Sequence, residues 1–144
     1  MKTEFAAWQV WAGLSAAFAA LTAIFAKVGV ENVSSDVATF ARTLVVIVVL
    51  GAILAATGQL PTLRDVGPRT WVFLTLSGLA TGASWVCYFR ALKVGDASRV
   101  APIDKLSVVL VALFAALFLG ERLSGLAWGG VALIAAGAVM VAVG

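Results

Sequence analysis

Histidine is absent from this sequence of 144 residues, and cysteine occurs once, at Cys87. Without histidine, the chain lacks the side chain that most often changes its protonation near neutral pH and serves as a catalytic base. A single cysteine excludes an internal disulfide and a metal site built from clustered cysteines. No Ser-His-Asp arrangement and no phosphate-binding glycine loop is present either. We therefore expect no catalytic residues, no bound metal and no cofactor, and we do not expect an enzyme.

Charged residues are also scarce: they make up 12% of the chain, whereas hydrophobic residues make up 62%. A soluble domain has about 25% charged and about 45–50% apolar residues, so this chain has too few polar side chains to cover a water-facing surface. The net charge of +3 does not indicate nucleic-acid binding, because the basic residues are dispersed between apolar runs. The lipid bilayer is the predicted solvent.

Five apolar runs are long enough to cross a membrane, which takes about 20 residues of helix. They cover residues 5–28, 37–57, 70–92, 100–119 and 124–143. Asp36 is the predicted N-cap of the second span, and Pro102 is expected in the first turn of the fourth, where a helix tolerates it. The first run is too long for a cleavable signal peptide. The sequence predicts an all-α, multi-pass inner (plasma) membrane protein with one domain, residues 1–144, and with its termini on opposite sides.

The Lys and Arg residues that flank the spans are evenly divided between the two sides of the membrane. Because the side richer in Lys and Arg normally stays in the cytoplasm, a balanced count favours insertion in both orientations and pairing of two antiparallel copies. The alternative is one fixed orientation decided by a few dominant charges. Four cations lie on the N-terminal side and four on the other, namely Lys2, Arg64, Arg69 and Arg122, then Lys27, Arg90, Lys93 and Arg99.

Three ionisable residues, Arg42, Asp104 and Lys105, fall inside the predicted spans. Each charge costs about 2.5–3.5 kcal/mol at the centre of a membrane helix. Arg42 and Asp104 lie at similar depths, roughly 8–9 Å from the starts of their helices at 1.5 Å per residue. We predict that the three form one ionic cluster facing the bundle interior. In the alternative interpretation, the side chains of Arg42 and Lys105 extend to the lipid head groups. Asp104 then only caps a helix end or pairs with a cation.

Helical periodicity places polar and aromatic side chains together on faces of the first and third spans. Lipid does not require such faces, whereas a cavity with aromatic walls and a few fixed donors does. Trp8, Trp71 and Trp128, near span ends, fit interfacial anchors better. The predicted substrate-binding or gating residues are Arg42, Tyr88, Asp104, Lys105, Trp85, Ser84, Trp11, Ser15 and Phe18.

Glycines mark faces that suit close helix packing, because small residues let membrane helices approach each other. Gly78 and Gly82 form a GxxxG pair in the third span, and Gly130, Gly137 and Gly144 recur along the fifth. The fifth span carries no buried charge, so its three glycines are a candidate dimer contact. Packing within one chain is the alternative for each motif.

Residues 88–137 resemble the second part of an EamA domain of the drug/metabolite transporter superfamily. The resemblance rests on a Tyr and "AL" ending the third span, a Pro opening the fourth, "GER" after it, and a "G…G" pattern in the fifth, and it extends back through "FARTLVV" in the second. Arg42, Tyr88, Pro102 and Glu121 are the positions that match the family pattern. The resemblance covers nearly the whole chain.

The resemblance implies export or exchange of small metabolites by alternating access. Typical EamA transporters hold two such domains related by inversion, whereas this sequence holds one. It is thus similar to a half-transporter, as in the small multidrug resistance proteins that work as antiparallel dimers, but its first span lacks their carboxylate. A solute transporter formed by two antiparallel copies is the resulting hypothesis. The alternatives are a pair with a different half-size protein and a non-transporting subunit of a lipid-modifying or lipid-flipping complex.

Overall fold

The structure, a computed structural model, describes the backbone of residues 2–144 and the side chains of residues 7–144. The part described is all-helical and contains no β-strand. A 3₁₀ segment, Leu60–Asp65, precedes the third long helix, and a π-helical turn, Ala115–Leu119, follows α5. The α-helices are α1 (Lys2–Gly29), α2 (Ser35–Ala56), α3 (Pro68–Val94), α4 (Ala97–Asp104), α5 (Ser107–Phe114) and α6 (Gly125–Val143).

Five stretches of these helices are long and apolar enough to cross a membrane, which confirms the predicted all-α architecture with five candidate spans. Each lies within a few residues of its predicted bounds. Lys2, counted in the charge balance, has its side chain outside the described residues. The stretches are Ala7–Gly29, Ser35–Ala56, Pro68–Val94, Ala97–Leu119 and Gly125–Val143.

The N-cap of α2 is Ser34, so the prediction that Asp36 caps this helix is wrong. The Ser34 hydroxyl accepts a hydrogen bond from the Val37 N–H at 3.3 Å, which satisfies one of the free amides of the first turn. Serine is as good a cap as aspartate. Asp36 lies two residues further on, still in the first turn, and its carboxylate accepts hydrogen bonds from Arg90.

The fourth span is broken into two helices, which the sequence did not predict. α4 begins at Ala97, so Pro102 lies inside it, and the prediction that this proline opens the helix is wrong. Pro102 has no N–H to donate to the Ser98 carbonyl. Further on, the Leu106 N–H donates to the Ile103 carbonyl at 3.0 Å, in 3₁₀ spacing. The α-helical ladder therefore stops between Asp104 and Ser107.

The fourth span ends in a wide turn closed by a glycine. Gly120 has φ +69°, a left-handed conformation that costs a side-chain-bearing residue roughly 1–2 kcal/mol. This conformation lets the Glu121 N–H reach back to the Ala115 carbonyl at 3.1 Å, which satisfies a helix-end acceptor in the manner of a Schellman cap. The glycine of "GER" is thus a helix terminator.

Backbone contacts divide the chain into two units. The first contains α1 up to Ile24 together with Val94–Gly144, and the second is Phe25–Lys93. In the first unit α6 packs against α4 and α5. The more buried residues of α6 recur at alternating steps of three and four, as in coiled-coil packing; they are Trp128, Val131, Ala135, Ala138 and Ala142.

Packing in the second unit is concentrated at one end of its helices. Phe89 and Leu92, near the end of α3, are 2% and 0% exposed, and Thr39 in the first half of α2 is also buried. By contrast, every side chain from Pro68 to Ser84 is exposed. The first half of α3 therefore has no packing partner within its unit.

Candidate functional site

Two lysines form hydrogen bonds between the C-terminal ends of α1 and α3, at the packed end of the second unit. The Lys27 ammonium, on α1, donates to the Leu92 carbonyl in the last turn of α3 at 2.8 Å. The Lys93 ammonium, on α3, donates to carbonyls of the loop that follows α1, those of Val30, of Glu31 at 2.8 Å and of Val33 at 3.0 Å. Each lysine thus supplies donors to carbonyls at the C-terminal end of the other helix, where positive charge is also favoured by the helix dipole.

An ion pair joins α2 and α3 at the same end. Arg90 Nε and Nη2 donate to Asp36 Oδ1 and Oδ2 at 3.1 and 3.0 Å, the two-bond geometry that makes Arg–carboxylate pairs directional. Both side chains are about three-fifths exposed, so the pair fixes geometry more than it stabilises the fold. We call Lys27, Asp36, Arg90 and Lys93 the capped end.

Arg42 has aromatic neighbours within its unit. Its guanidinium carbon lies 4.1 Å from the ring centre of Trp85 and 5.5 Å from that of Phe89, distances at which a cation is attracted to a ring face. The arginine is half-buried. A cation–π contact of this kind contributes about 0.5–2 kcal/mol, less than the roughly 2.5–3.5 kcal/mol that a cation costs deep in a membrane. The rings therefore offset this cost only in part.

Two other predicted residues lie on the same helix as Trp85. Tyr88 is half-buried and close enough to Arg42 to interact with it electrostatically. Ser84 immediately precedes Trp85 and is exposed. Of the predicted set, the second unit thus brings together Arg42, Trp85 and Tyr88.

Asp104 and Lys105 belong to the first unit and lie where the fourth span is broken. Lys105 Nζ is 3.3 Å from Asp104 Oδ2. Asp104 is the less exposed partner, with 35% of its side chain accessible against 55% for Lys105. Arg42 belongs to the other unit, so a single cluster of Arg42, Asp104 and Lys105 stays a prediction.

The remaining predicted residues are exposed within their unit. On α1, Trp11 is 72% and Phe18 66% exposed, and Ser15 between them is exposed as well. On α6, a Cβ atom added to Gly130 or Gly137 would meet no atom within 4 Å. At Gly144 an added Cβ would meet only the Met140 carbonyl of the same helix, at 3.2 Å.

Several functional contacts were missed by sequence reasoning. Phe89 lies four residues after Trp85 and shares its helical face, so helical spacing contained that signal. The Arg90–Asp36 pair and the lysine caps had no signal in spacing, because their partners lie more than 50 residues apart along the chain. From the sequence, Lys27, Arg90 and Lys93 are interpreted as flanking charges that set the orientation.

Five apolar spans with a cation, aromatic rings and an ion pair inside them define the class of protein: a multi-pass membrane protein with polar groups within its spans. The sequence pattern of the EamA-like transporter family matches residues 6–143. The chain belongs to this family, as its sequence motifs predicted, and the family consists of membrane transporters.

A relative from Sinorhizobium sp, named "Uncharacterized transporter in cobO 3'region", is 65% identical over 136 residues. The matched region covers 94% of this chain and 96% of that protein. The two proteins therefore correspond over nearly their whole lengths. No solved structure matches the chain.

Proposed function

We propose that two copies of this chain, inserted in opposite orientations in the inner (plasma) membrane, form a secondary transporter that moves a small polar solute by alternating access. The observation that carries the proposal is that α3 and α6 each expose a face that carries glycines, while polar groups lie within the spans. Inverted repeats place a solute site at their interface, and a second copy supplies the missing repeat.

The first half of α3 supports the need for a partner. All its side chains from Pro68 to Ser84 are exposed, yet this stretch contains the GxxxG pair Gly78 and Gly82. No atom lies within 4 Å of a Cβ added to either glycine. Membrane helices use such glycines to approach one another, and within the unit Phe25–Lys93 no other helix makes this approach.

A row of exposed residues on α6 supports pairing in the same way. It lies on the face opposite the packed residues, and its members recur at alternating steps of four and three, the spacing of left-handed helix pairs in membranes. This face includes the three glycines predicted as dimer contacts. We call it the α6 seam, and it consists of Leu126, Gly130, Leu133, Gly137, Met140 and Gly144.

The solute site that we propose uses the residues predicted from the sequence. Arg42, Lys105 and Tyr88 contact or gate the solute, and Asp104 holds the cation of Lys105. The polar and aromatic walls are Ser84, Trp85, Trp11, Ser15 and Phe18.

Solute flux into liposomes that contain only the purified chain tests the proposal. We expect flux from the wild type and loss of most of it in Arg42→Ala and Asp104→Asn, because both change charges inside spans. Arg64→Gln, which changes an exposed cation of the 3₁₀ segment, is the matched control. Full flux in both variants would remove these residues from the site, and no flux of any solute by the wild type would contradict the proposed function.

Reporters on the C-terminus, one active on each side of the membrane, test the orientation. Signals from both reporters are expected for a chain that pairs with its own inverted copy. A signal from one reporter alone would contradict this and would favour a different half-size partner.

A further inference from the structure

Arg42 is a cation without an anionic partner in its unit. The nearby Asp36 carboxylate is engaged by Arg90 through two hydrogen bonds. Within Phe25–Lys93, no ion pair or hydrogen bond uses an Arg42 nitrogen. Its neighbours there are the rings of Trp85 and Phe89 and Tyr88, which interacts with it electrostatically. The two cation–π contacts offset only part of the cost of a cation inside a membrane.

The guanidinium carbon lies over the Trp85 ring, and no hydrogen bond within Phe25–Lys93 occupies the guanidinium donors. At 4.1 Å from the ring centre, the planar guanidinium lies over the Trp85 indole, and its N–H groups lie in its own plane. Phe89, which is 2% exposed, lies within cation–π distance as well. A guanidinium held in this way presents two parallel donors, the geometry that binds carboxylate and phosphate oxygens.

A row of hydroxyl side chains leads along α3 towards this group. At 100° per residue its members fall within about 60° of the helix circumference. Those before Trp85 lie in the exposed first half of the helix, where lipid offers hydroxyls no partner. A row of this kind suits a polar solute that moves along the helix. Its members are Thr70, Ser77, Thr81, Ser84 and Tyr88.

We propose that the solute is a small organic anion whose carboxylate or phosphate group binds in two-point fashion to the guanidinium of Arg42 over Trp85. The inference rests on the proposed function for its context, because the anion is the transported solute. It adds the charge class of the solute, which composition and spacing left open.

Binding is measured on the full chain in nanodiscs by the fluorescence of Trp85 and Trp11, with the three tryptophans outside the proposed site, Trp8, Trp71 and Trp128, replaced by phenylalanine. The probes are propionate and methylphosphonate, with propionamide as the neutral match and propylammonium as the cationic match. We expect saturable fluorescence changes with one or both anions and at least tenfold weaker binding of both matches. Equal binding of the neutral probe would overturn the inference, and this comparison requires no variant at Arg42.

Arg42→Lys keeps the charge and removes the planar pair of donors, so we expect at least tenfold weaker anion binding. Arg64→Lys is the matched control and should leave binding unchanged. Helicity by circular dichroism shows whether each variant has folded. Unchanged binding in folded Arg42→Lys would overturn the two-point contact.

The two anions also separate the possible chemistries, because a preference for methylphosphonate indicates a phosphate ester and a preference for propionate indicates a carboxylate. Anion binding without flux in liposomes would contradict the proposed transport and leave only the two-point anion contact at Arg42 standing. Flux of neutral or cationic solutes that anions do not inhibit would overturn the inference alone.

Discussion

At the residue scale, the cations of this protein do two different kinds of work. Lys93 donates to three backbone carbonyls, which have no amide donors because α1 has ended. Arg90 instead pairs with an exposed carboxylate. A backbone carbonyl that loses its donor near lipid finds no water to replace it. When an exposed ion pair is broken, by contrast, water solvates the charge that remains. Their removal should therefore have different consequences.

Lys93→Met removes the donor to the loop after α1 and should lower the free energy of unfolding by about 1.5–3 kcal/mol, the usual value for hydrogen bonds to a charged group. The measurement is an unfolding titration with sodium dodecyl sulfate in mixed micelles. Arg99→Met, which removes an exposed cation from α4, is the control and should change stability by less than about 0.5 kcal/mol. Equal losses in the two variants would show that Lys93 acts only as a charge.

Arg90→Gln breaks the pair with Asp36, and we expect a small drop in melting temperature that vanishes in about 1 M salt, where the screening length is near 3 Å. The loss in Lys93→Met should persist in the same salt, because its partners are backbone carbonyls. Melting of both variants at low and high salt checks the contrast. A salt-insensitive loss in Arg90→Gln would show that the pair is shielded from solvent.

At the scale of elements, the fourth span is the most irregular of the chain. Pro102 deprives the Ser98 carbonyl of its donor, 3₁₀ bonds follow at Leu106, and a π-helical turn closes the span at Ala115–Leu119. Such interruptions often mark hinges or functional sites in helices. This one coincides with Asp104 and Lys105, two of the predicted site residues.

Pro102→Ala restores an N–H opposite the Ser98 carbonyl and should extend regular helix through the break. We expect slower hydrogen exchange at the Leu106 and Ser107 amides, and slower solute flux because a hinge has stiffened. Pro61→Ala, in the 3₁₀ segment, is the control and should leave those amides unchanged. Unchanged exchange at Leu106 in Pro102→Ala would show that the proline is not the origin of the break.

Gly120→Ala tests the terminator of the fourth span. At φ +69° an added Cβ is strained, and we expect a loss of about 1–2 kcal/mol in unfolding free energy. Gly13→Ala is the matched control, because Gly13 lies in helix α1 and an added Cβ there meets no atom within 4 Å. That change should be neutral or stabilising by up to about 1 kcal/mol. The same unfolding titration measures both, and a neutral Gly120→Ala would argue against the strained conformation.

The membrane-spanning helices were the part of the structure that the sequence predicted best. Span length and the near absence of charge predict five helices, because only a helix satisfies its own backbone in lipid. The interruption of the fourth span was not accessible, since a proline near a helix start is equally compatible with an intact helix. Its position inside α4 follows from a start at Ala97, a boundary that sequence places only within a few residues.

The candidate site was predictable in composition but not in contacts. The depth of Arg42 and the faces carrying Trp85 and Tyr88 follow from helical geometry. The stacking partner Phe89 and the engagement of Asp36 by Arg90 depend on packing between helices, for which apolar surface supplies no directional signal. Pairwise contacts between charges far apart in sequence are fixed by tertiary structure alone.

At the scale of the whole molecule, unused packing surface is the dominant feature. The exposed first half of α3 and the α6 seam both carry glycines at which an added Cβ would meet, among the described residues, no atom of another helix. In lipid there is little hydrophobic drive for helices to associate, so tight packing of small residues and polar contacts must supply it. Two separate glycine faces on one short chain therefore favour assembly into a larger bundle.

Single cysteines on α6 distinguish an antiparallel from a parallel pair. With Cys87 replaced by serine, Leu133→Cys lies midway along the α6 seam and should form a disulfide with its own copy in either arrangement. Leu126→Cys and Met140→Cys lie seven residues to either side of it on the same face. In an antiparallel pair each should fail to cross-link with itself, and the two should cross-link when the variants are co-expressed.

Ala138→Cys, on the packed face and 8% exposed, is the control and should not cross-link. Efficient self cross-linking of Leu126→Cys would require parallel copies, which cannot supply an inverted repeat.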